Sequence, residues 1–386
     1  MEGFANSLSF VDGKEKEEEE ENNRVHRRCL TIDNHDHEST AIAEIALESS
    51  RHKQNSNENI ITNQGFKWAD KLINPTKVPR NLRIFTLTWN MYGSSPPEDL
   101  SLLLPNTHSH HIIAISSQEC LRSIGKSFIY SSKKSWELQL SQFLQPNYSL
   151  FASGSLGSIH LAIFISNSIQ NQLSVPLIQT VKTGFGNVVA NKGGVGIKFY
   201  VGNTSLLFIS CHLASGQTSI KNRNQDFARI EKNLLNQLGS EPASDLVDAC
   251  IYMGDFNYRI NARKPDAEHL ISVNFLSPLR SGDQLSYQMI QNPIFFGFQE
   301  GLLDFAPTYK FNAGSDIYDT SQKKRIPSWT DRIIYKSKKI LQLIRYDSIN
   351  TTFSSDHRPV YAQFKLEFYS NPNSQPTKQS KICVVT

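Results

Sequence analysis

From Asn81 onward the chain is a succession of short apolar runs that close on polar residues: LRIFTLTWN, HIIAISSQE, HLAIFIS, VGIKFYV, SLLFISCHL, ACIYMGDFN, DRIIY and PVYAQFKLEF. They are rich in Ile, Val, Phe and Tyr and are bounded by Gly, Asn, Ser or Pro, the signature of β-strands. Helical spacing is clear in two places. SWELQLSQFLQ carries apolar residues at 136, 138, 140, 143 and 144, and TSIKNRNQDFARIEKNLLNQL carries them at 220, 227, 230, 234, 235 and 238. Many strands with fewer helices predict an α/β sandwich, two sheets flanked by helices.

The remainder of the 386 residues has a different texture. Residues 1–78, with KEKEEEEENN and RHKQNSNENIITNQ, read as a disordered acidic and polar segment. Residues 79–368 form the expected catalytic domain, and 369–386 a polar, flexible tail. Charge divides along the same line. Residues 1–75 hold 9 Lys/Arg against 15 Asp/Glu, leaving 31 against 21 in the rest. A basic body points to an anionic partner. No run approaches the roughly 18 apolar residues that a spanning helix needs, and the N-terminus lacks the order of a secretory signal. Five scattered cysteines without a C-x-x-C pair predict free thiols in a reducing compartment and no zinc site.

The strand endings share a chemistry. They place Asn90, Gln118-Glu119, His212, Asp255 with Asn257, Asp331, and Asp356-His357 at or beside the ends of apolar runs. Any one of them has an ordinary explanation as a solvated or structural residue; six such endings point to a site built at strand ends. Carboxylate and amide oxygens without thiolates select a hard ion such as Mg²⁺ shared with substrate phosphate. The chain has no Cys-x₅-Arg stretch to supply a cysteine nucleophile and no G-x-x-x-x-G-K-[ST] loop to hold a nucleotide. These features point to metal-assisted hydrolysis of a phosphoester by water. The residue types alone do not separate a metal ligand from a water-activating base.

The motifs TWNMYG, SSQE, KTGFGNVVANKGGVGIKF, CHLASGQ, GDFNYRI, PTYKFNAGSDIYDTSQKKRIPSWTDRII and SSDHRPVYAQF, in this order, resemble the inositol polyphosphate 5-phosphatases over residues 81 to 368. That family sits in a superfamily with deoxyribonuclease-like and apurinic nucleases. The resemblance implies a four-layer α/β sandwich with two central, mainly antiparallel sheets. It also implies roles. Glu119 would be the main Mg²⁺ ligand, with Asn90 and Asp356 near the metal. Asp255 would orient and deprotonate the attacking water, Asn257 would hydrogen-bond the transition state, and His212 would bond a non-bridging phosphate oxygen. His357, held by Asp331, would stabilise or protonate the charged centre. Tyr309, Lys310, Lys323 and Arg325 would contact the phosphate beside the scissile one. Asn191 and Lys192 would meet the lipid-side phosphate, with Gly193 and Gly194 permitting close approach. The chain departs from the family pattern at Ala190 (usually Gly), Thr330 (commonly Cys) and Ser116-Ser117 (frequently Gly-Val).

The expected activity is hydrolysis of the 5-phosphate of phosphoinositides such as PI(4,5)P2 and PI(3,4,5)P3. The alternatives are a soluble Ins(1,4,5)P3 5-phosphatase, a nuclease of the superfamily, and a phosphoinositide-binding module without turnover. The lysine- and arginine-bearing stretch at 309–325 suits vicinal phosphates and argues against nucleic acid as the partner. The last four residues, Cys383-Val384-Val385-Thr386, fit a C-a-a-X prenylation signal at Cys383. One lipid chain gives marginal binding, so reversible attachment to the cytosolic face of membranes is the expectation.

Overall fold

The structure is a computed structural model that describes residues 79–105, 107–120, 131–184, 186, 190–235, 239–369 and 383–384. Contacts divide the chain into Met1–Ile73 and Asn74–Thr386. The expected disordered segment 1–78 and all of the tail beyond Tyr369 except Cys383–Val384 lie outside the described residues.

Two sheets make up the body of the second unit. The first contains β1 (Pro79–Asn90), β2 (Ile112–Gln118), β3 (Tyr148–Leu156), β4 (Ile159–Ser166), β11 (Leu341–Ser348) and β12 (Val360–Tyr369), in the order β11-β12-β1-β2-β4-β3. A two-residue strand, β13 (Cys383–Val384), pairs in parallel with Ala152–Ser153 at the outer edge of β3. The second sheet contains β5 (Leu177–Lys182), β6 (Gly193–Val201), β7 (Thr204–His212), β8 (Ala249–Asp255), β9 (Gln299–Glu300) and β10 (Asp331–Ser337), in the order β5-β6-β7-β8-β10-β9. Within these two six-strand sets pairing is antiparallel except for β1–β2 and β7–β8. The helices are α1 (Ser131–Leu144), α2 (Ile220–Asn233), α3 (Lys264–Ser272), α4 (Ser277–Ser281) and α5 (Gln284–Gln291).

Alternation along the strands builds the layers. Ile84, Ile112 and Ile163 meet Phe208, Ile251 and Ile333 in the core between the sheets. Their neighbours face outward: Phe85, Ile113 and Phe164 pack on Trp136, Leu140 and Leu144 of α1. Leu207, Ile209 and Tyr252 pack on Phe227 and Ile230 of α2 and Leu285 of α5. The result is helix, sheet, sheet, helix, the four-layer α/β sandwich expected.

The two helices read from sequence form, with differences. Trp136, Leu140 and Leu144 are buried, whereas Leu138 falls on the outer face. Helix α2 stops at Asn233, before Leu234, and it buries Arg223, Asp226 and Glu231 together with Phe227 and Ile230. Strands β3, β5, β9, β11 and β13 were not among the runs singled out above. β5 and β11 lie at sheet edges, half-exposed, so their sequences lack a continuous apolar run.

Candidate active site

The topology collects the polar strand endings on one rim. β1 and β2 run in parallel, so Asn90 pairs with Gln118. β7 and β8 run in parallel, so His212 pairs with Asp255. β10 runs against β8 and begins there, so Asp331 pairs with Asp255. Gly193 completes that row beside His212. β12 runs against β1 and begins at Val360, which brings the preceding Asp356 and His357 to the same rim. Asn90, Gln118, His212, Asp255 and Asp331 continue the inward-facing set of their strands, so polar side chains replace the core at this rim. Gly254 lets β8 lie close to β7: a Cβ there would stand 2.0 Å from the Cys211 carbonyl oxygen at φ +159°.

Asp255 is the hub. Its Oδ2 accepts from Asn90 Nδ2 at 3.0 Å, a bond between the two sheets, and lies 3.2 Å from His212 Nε2. Its Oδ1 accepts from the Asn257 backbone N–H at 3.0 Å. Burial would raise its pKa, but the His212 bond and the nearby His357 and Lys192 hold it well below the usual carboxylate range. Asn90 Nδ2 also reaches Glu119 Oε1 at 3.4 Å. Glu119 follows β2 in a left-handed conformation, φ +50°, which turns it off the strand axis.

Two histidines flank the hub with shifts of opposite sign. Burial and the charge of Lys192, which contacts Nε2, lower the pKa of His212 against the pull of Asp255. His357 is the reverse. Burial lowers its pKa, but the carboxylates of Asp331, Asp356 and Asp255 outweigh it and push it up to about 10. His357 Nδ1 sits 2.8 Å from Asp331 Oδ2, and Thr308 and Thr330 donate to the same oxygen at 3.1 and 2.9 Å. Thr330 thus fixes the acceptor of the Asp331–His357 pair.

An open cavity of about 570 Å³ adjoins this cluster, lined by Tyr92, Lys310, Phe311, Asp319, Lys323 and Asp356 among others. Lys310 and Lys323 are among its lining residues. Tyr309 and Arg325 do not line it. The Tyr309 ring lies between the Arg259 guanidinium, 4.4 Å away, and the His357 ring, at 4.5 Å between centroids. Arg325 is half-buried, and its backbone N–H bonds Asp319. Asn191 is exposed on a turn, while Lys192 is partly buried against His212. The close approaches at Gly193 and Gly194 are internal: a Cβ on Gly193 would meet the Val181 carbonyl oxygen at 2.1 Å, and one on Gly194 would meet Ile230 at 3.0 Å. These glycines serve strand and helix packing in this structure.

Sequence reasoning missed Arg259. It is buried; Nη2 donates to Asn257 Oδ1 at 2.5 Å and Nε to the Asn257 carbonyl at 3.0 Å. The Asn257 side chain in turn donates to the Leu213 carbonyl at 3.1 Å, leaving one amide N–H without a partner among the described residues. The signal was present in GDFNYRI: a charged residue in an otherwise buried stretch requires a partner.

The oxygen donors fit a hard cation. Among the described residues no group of three or more His, Cys, Asp or Glu forms a closed metal cage. Mg²⁺-type ions use one or two carboxylates, water and substrate instead. Glu119 is partly buried, and Asp356 directs Oδ2 at Lys310 Nζ while its buried Oδ1 has no hydrogen-bond partner among the described residues. Ser355 ties this segment to β1 through the Asn90 carbonyl at 2.6 Å.

Residues 87–363 match the endonuclease/exonuclease/phosphatase family 2. The chain is 35% identical over 302 residues to inositol-1,4,5-trisphosphate 5-phosphatase 1 of Schizosaccharomyces pombe, covering 74% of this chain and 27% of that protein. It is 32% identical over 319 residues to the human phosphatidylinositol polyphosphate 5-phosphatase type IV, covering 78% and 48%. Among solved structures it resembles the inositol polyphosphate 5-phosphatase domain of SPsynaptojanin, in complex with inositol (1,4)-bisphosphate and a calcium ion. That likeness has a TM-score of 0.71 and 33% identity over 78% of this chain and 89% of that one. The chain belongs to the inositol polyphosphate 5-phosphatase family. It spans about a quarter to a half of the length of the two curated relatives, so what it shares with them is this domain.

Proposed function

We propose that this chain is a Mg²⁺-dependent phosphatase that removes the 5-phosphate of phosphoinositides such as PI(4,5)P2 and PI(3,4,5)P3. The observation that carries the reading is the Asn90–Asp255 bond between the sheets, which brings Glu119 from one sheet and His212 from the other around a single carboxylate.

Glu119, with Asn90 and Asp356, would hold the metal, which supplies Lewis-acid charge at the phosphate. Asp255, ionised at neutral pH, orients the water and takes its proton as the new P–O bond forms. His212 Nε2 is engaged by Lys192 and Asp255, so in place of the phosphate contact expected of it the ring positions those two groups. Lys192 and the remaining Asn257 N–H offer donors to non-bridging oxygens as charge builds. The His357 imidazolium gives its proton to the inositol alkoxide as the old P–O bond breaks, and Asp331 retains the ring orientation. Products are inorganic phosphate and the 5-hydroxyl. Phosphate release from short-chain PI(4,5)P2 with and without EDTA tests the reading. Metal-dependent release well above an Asp255→Ala control is expected; release equal to that control refutes it.

A second reading is a soluble inositol polyphosphate substrate. It is favoured by the S. pombe relative named for inositol-1,4,5-trisphosphate and by the inositol (1,4)-bisphosphate held by the SPsynaptojanin domain. Comparison of kcat/KM for Ins(1,4,5)P3 and PI(4,5)P2 decides between them. Prenylation of Cys383 and reversible residence on cytosolic membrane faces belong to the same proposal and rest on CVVT alone.

A further inference from the structure

Lys310 is the cation in the cavity with the most constrained surroundings, and Tyr92 is what constrains it from the far side. The lysine is half-buried and its Nζ is hydrogen-bonded to Asp356 Oδ2. It stands 5.2 Å from the centroid of the Tyr92 ring and 5.8 Å from that of Tyr309. An ammonium has three N–H donors, and Asp356 takes one. The rings replace part of the water that would otherwise solvate the charge and fix where the remaining donors lie.

Among the described residues nothing in the packing requires an aromatic side chain at Tyr92. Its side chain is 50% exposed. Its backbone sits at φ +51°, a conformation that bulky residues avoid and that Asn or Gly adopts more easily. The backbone does its own work there: the Tyr92 N–H donates to Asn90 Oδ1 at 3.1 Å, which any residue would supply. A half-exposed ring kept at a strained position, lining the cavity and facing its lysine, has a role in the cavity.

We infer that Tyr92 is a specificity-determining residue whose ring holds Lys310 in the position from which it meets a phosphate vicinal to the one removed. The inference rests on the phosphatase reading for its substrate, and Tyr92 lies in none of the polar strand endings from which the site was first assembled. Removing the ring leaves Lys310 solvated and free to turn, which weakens binding of a substrate that carries the vicinal phosphate. A substrate without that phosphate does not use Lys310 and is indifferent to the change.

The test uses the full chain with Tyr92→Asn, which keeps the left-handed backbone and removes the ring, and Tyr92→Phe, which keeps the ring. KM is measured on short-chain PI(4,5)P2 and on the matching 5-monophosphate. Binding of inositol 1,4-bisphosphate and of inositol 1-phosphate is measured by calorimetry. Tyr92→Asn is expected to raise KM for the bisphosphate roughly fivefold and to weaken inositol 1,4-bisphosphate by a similar factor. The 5-monophosphate and inositol 1-phosphate should change less than twofold, and Tyr92→Phe should behave as the parent. An equal effect on both substrates, or no effect of Tyr92→Asn, overturns the inference. If the parent binds inositol 1,4-bisphosphate but hydrolyses nothing, the phosphatase reading falls and the binding ratio alone decides the role of Tyr92. If it neither binds nor hydrolyses, both fall.

Discussion

Arg259 shows how a residue without a reactive atom at the centre governs one that has it. Its guanidinium fixes both oxygens of Asn257 and lies on the Tyr309 ring, which lies on His357. Arg259→Met keeps the volume and removes the donors. A hydrogen bond to a charged group contributes about 1.5–3 kcal/mol, so kcat on short-chain PI(4,5)P2 should fall at least tenfold while circular dichroism stays unchanged. His357 makes a second prediction. Its pKa in the fold, about 10, lies above the ordinary value of 6.5. A raised pKa means that the pair stabilises the fold fully below pH 6.5, and that this stability is lost as pH climbs through about 10. Thermal unfolding of the metal-free protein should therefore show a fall in Tm toward pH 10 that is absent in His357→Gln. Asp255 has the opposite sign, with stability present above its free pKa near 3.8 and lost only in acid. A His357 ring that titrates near 6.5 by NMR would contradict the pairing seen here.

At the scale of elements, buried polar links hold the two sheets and the loops that carry the site. The Ser116 and Ser210 hydroxyls meet at 2.7 Å between the sheets, one pleat below the Asn90–Gln118 and His212–Asp255 pairs. Ser117 accepts from Trp136 Nε1 at 3.1 Å and anchors α1. The Ser-Ser departure from the family pattern thus has a structural use at both positions. Farther from the site, Arg332 of β10 is fully buried between Asp283, at 2.9 Å, and Glu300, at 2.6 Å, joining the cap of α5 to β9. Removing one partner of a buried pair costs about 3–5 kcal/mol. Asp283→Ala should lower the urea midpoint sharply, and an unchanged midpoint would exclude that role. These links mark the limit of what was legible in the chain. Short apolar runs revealed β1, β2, β4, β6, β7, β8, β10 and β12, because each buries most of its length. It did not reveal partners. Nothing local to Ser116 points to Ser210, and nothing local to Tyr309 shows that its ring serves His357 and leaves the cavity to Lys310 and Lys323.

For the molecule as a whole, the sequence disclosed the site's residue types but not its geometry, since the convergence depends on which strands run in parallel. Asp255, Asn90 and His212 lie far apart along the chain, and only pairing register makes them neighbours. The proposed membrane residence would be a property of the whole molecule. If Cys383 carries a prenyl group, Cys383→Ser should move the protein from the membrane to the soluble fraction of its native cells without changing kcat on a soluble substrate. Mass spectrometry that finds an intact VVT terminus would end that idea. The β6–β7 hairpin turns at Gly202-Asn203, at the strand ends opposite to Gly193 and His212. A fluorophore or an affinity handle grafted at Asn203 would therefore report on the enzyme at work without entering the chemistry.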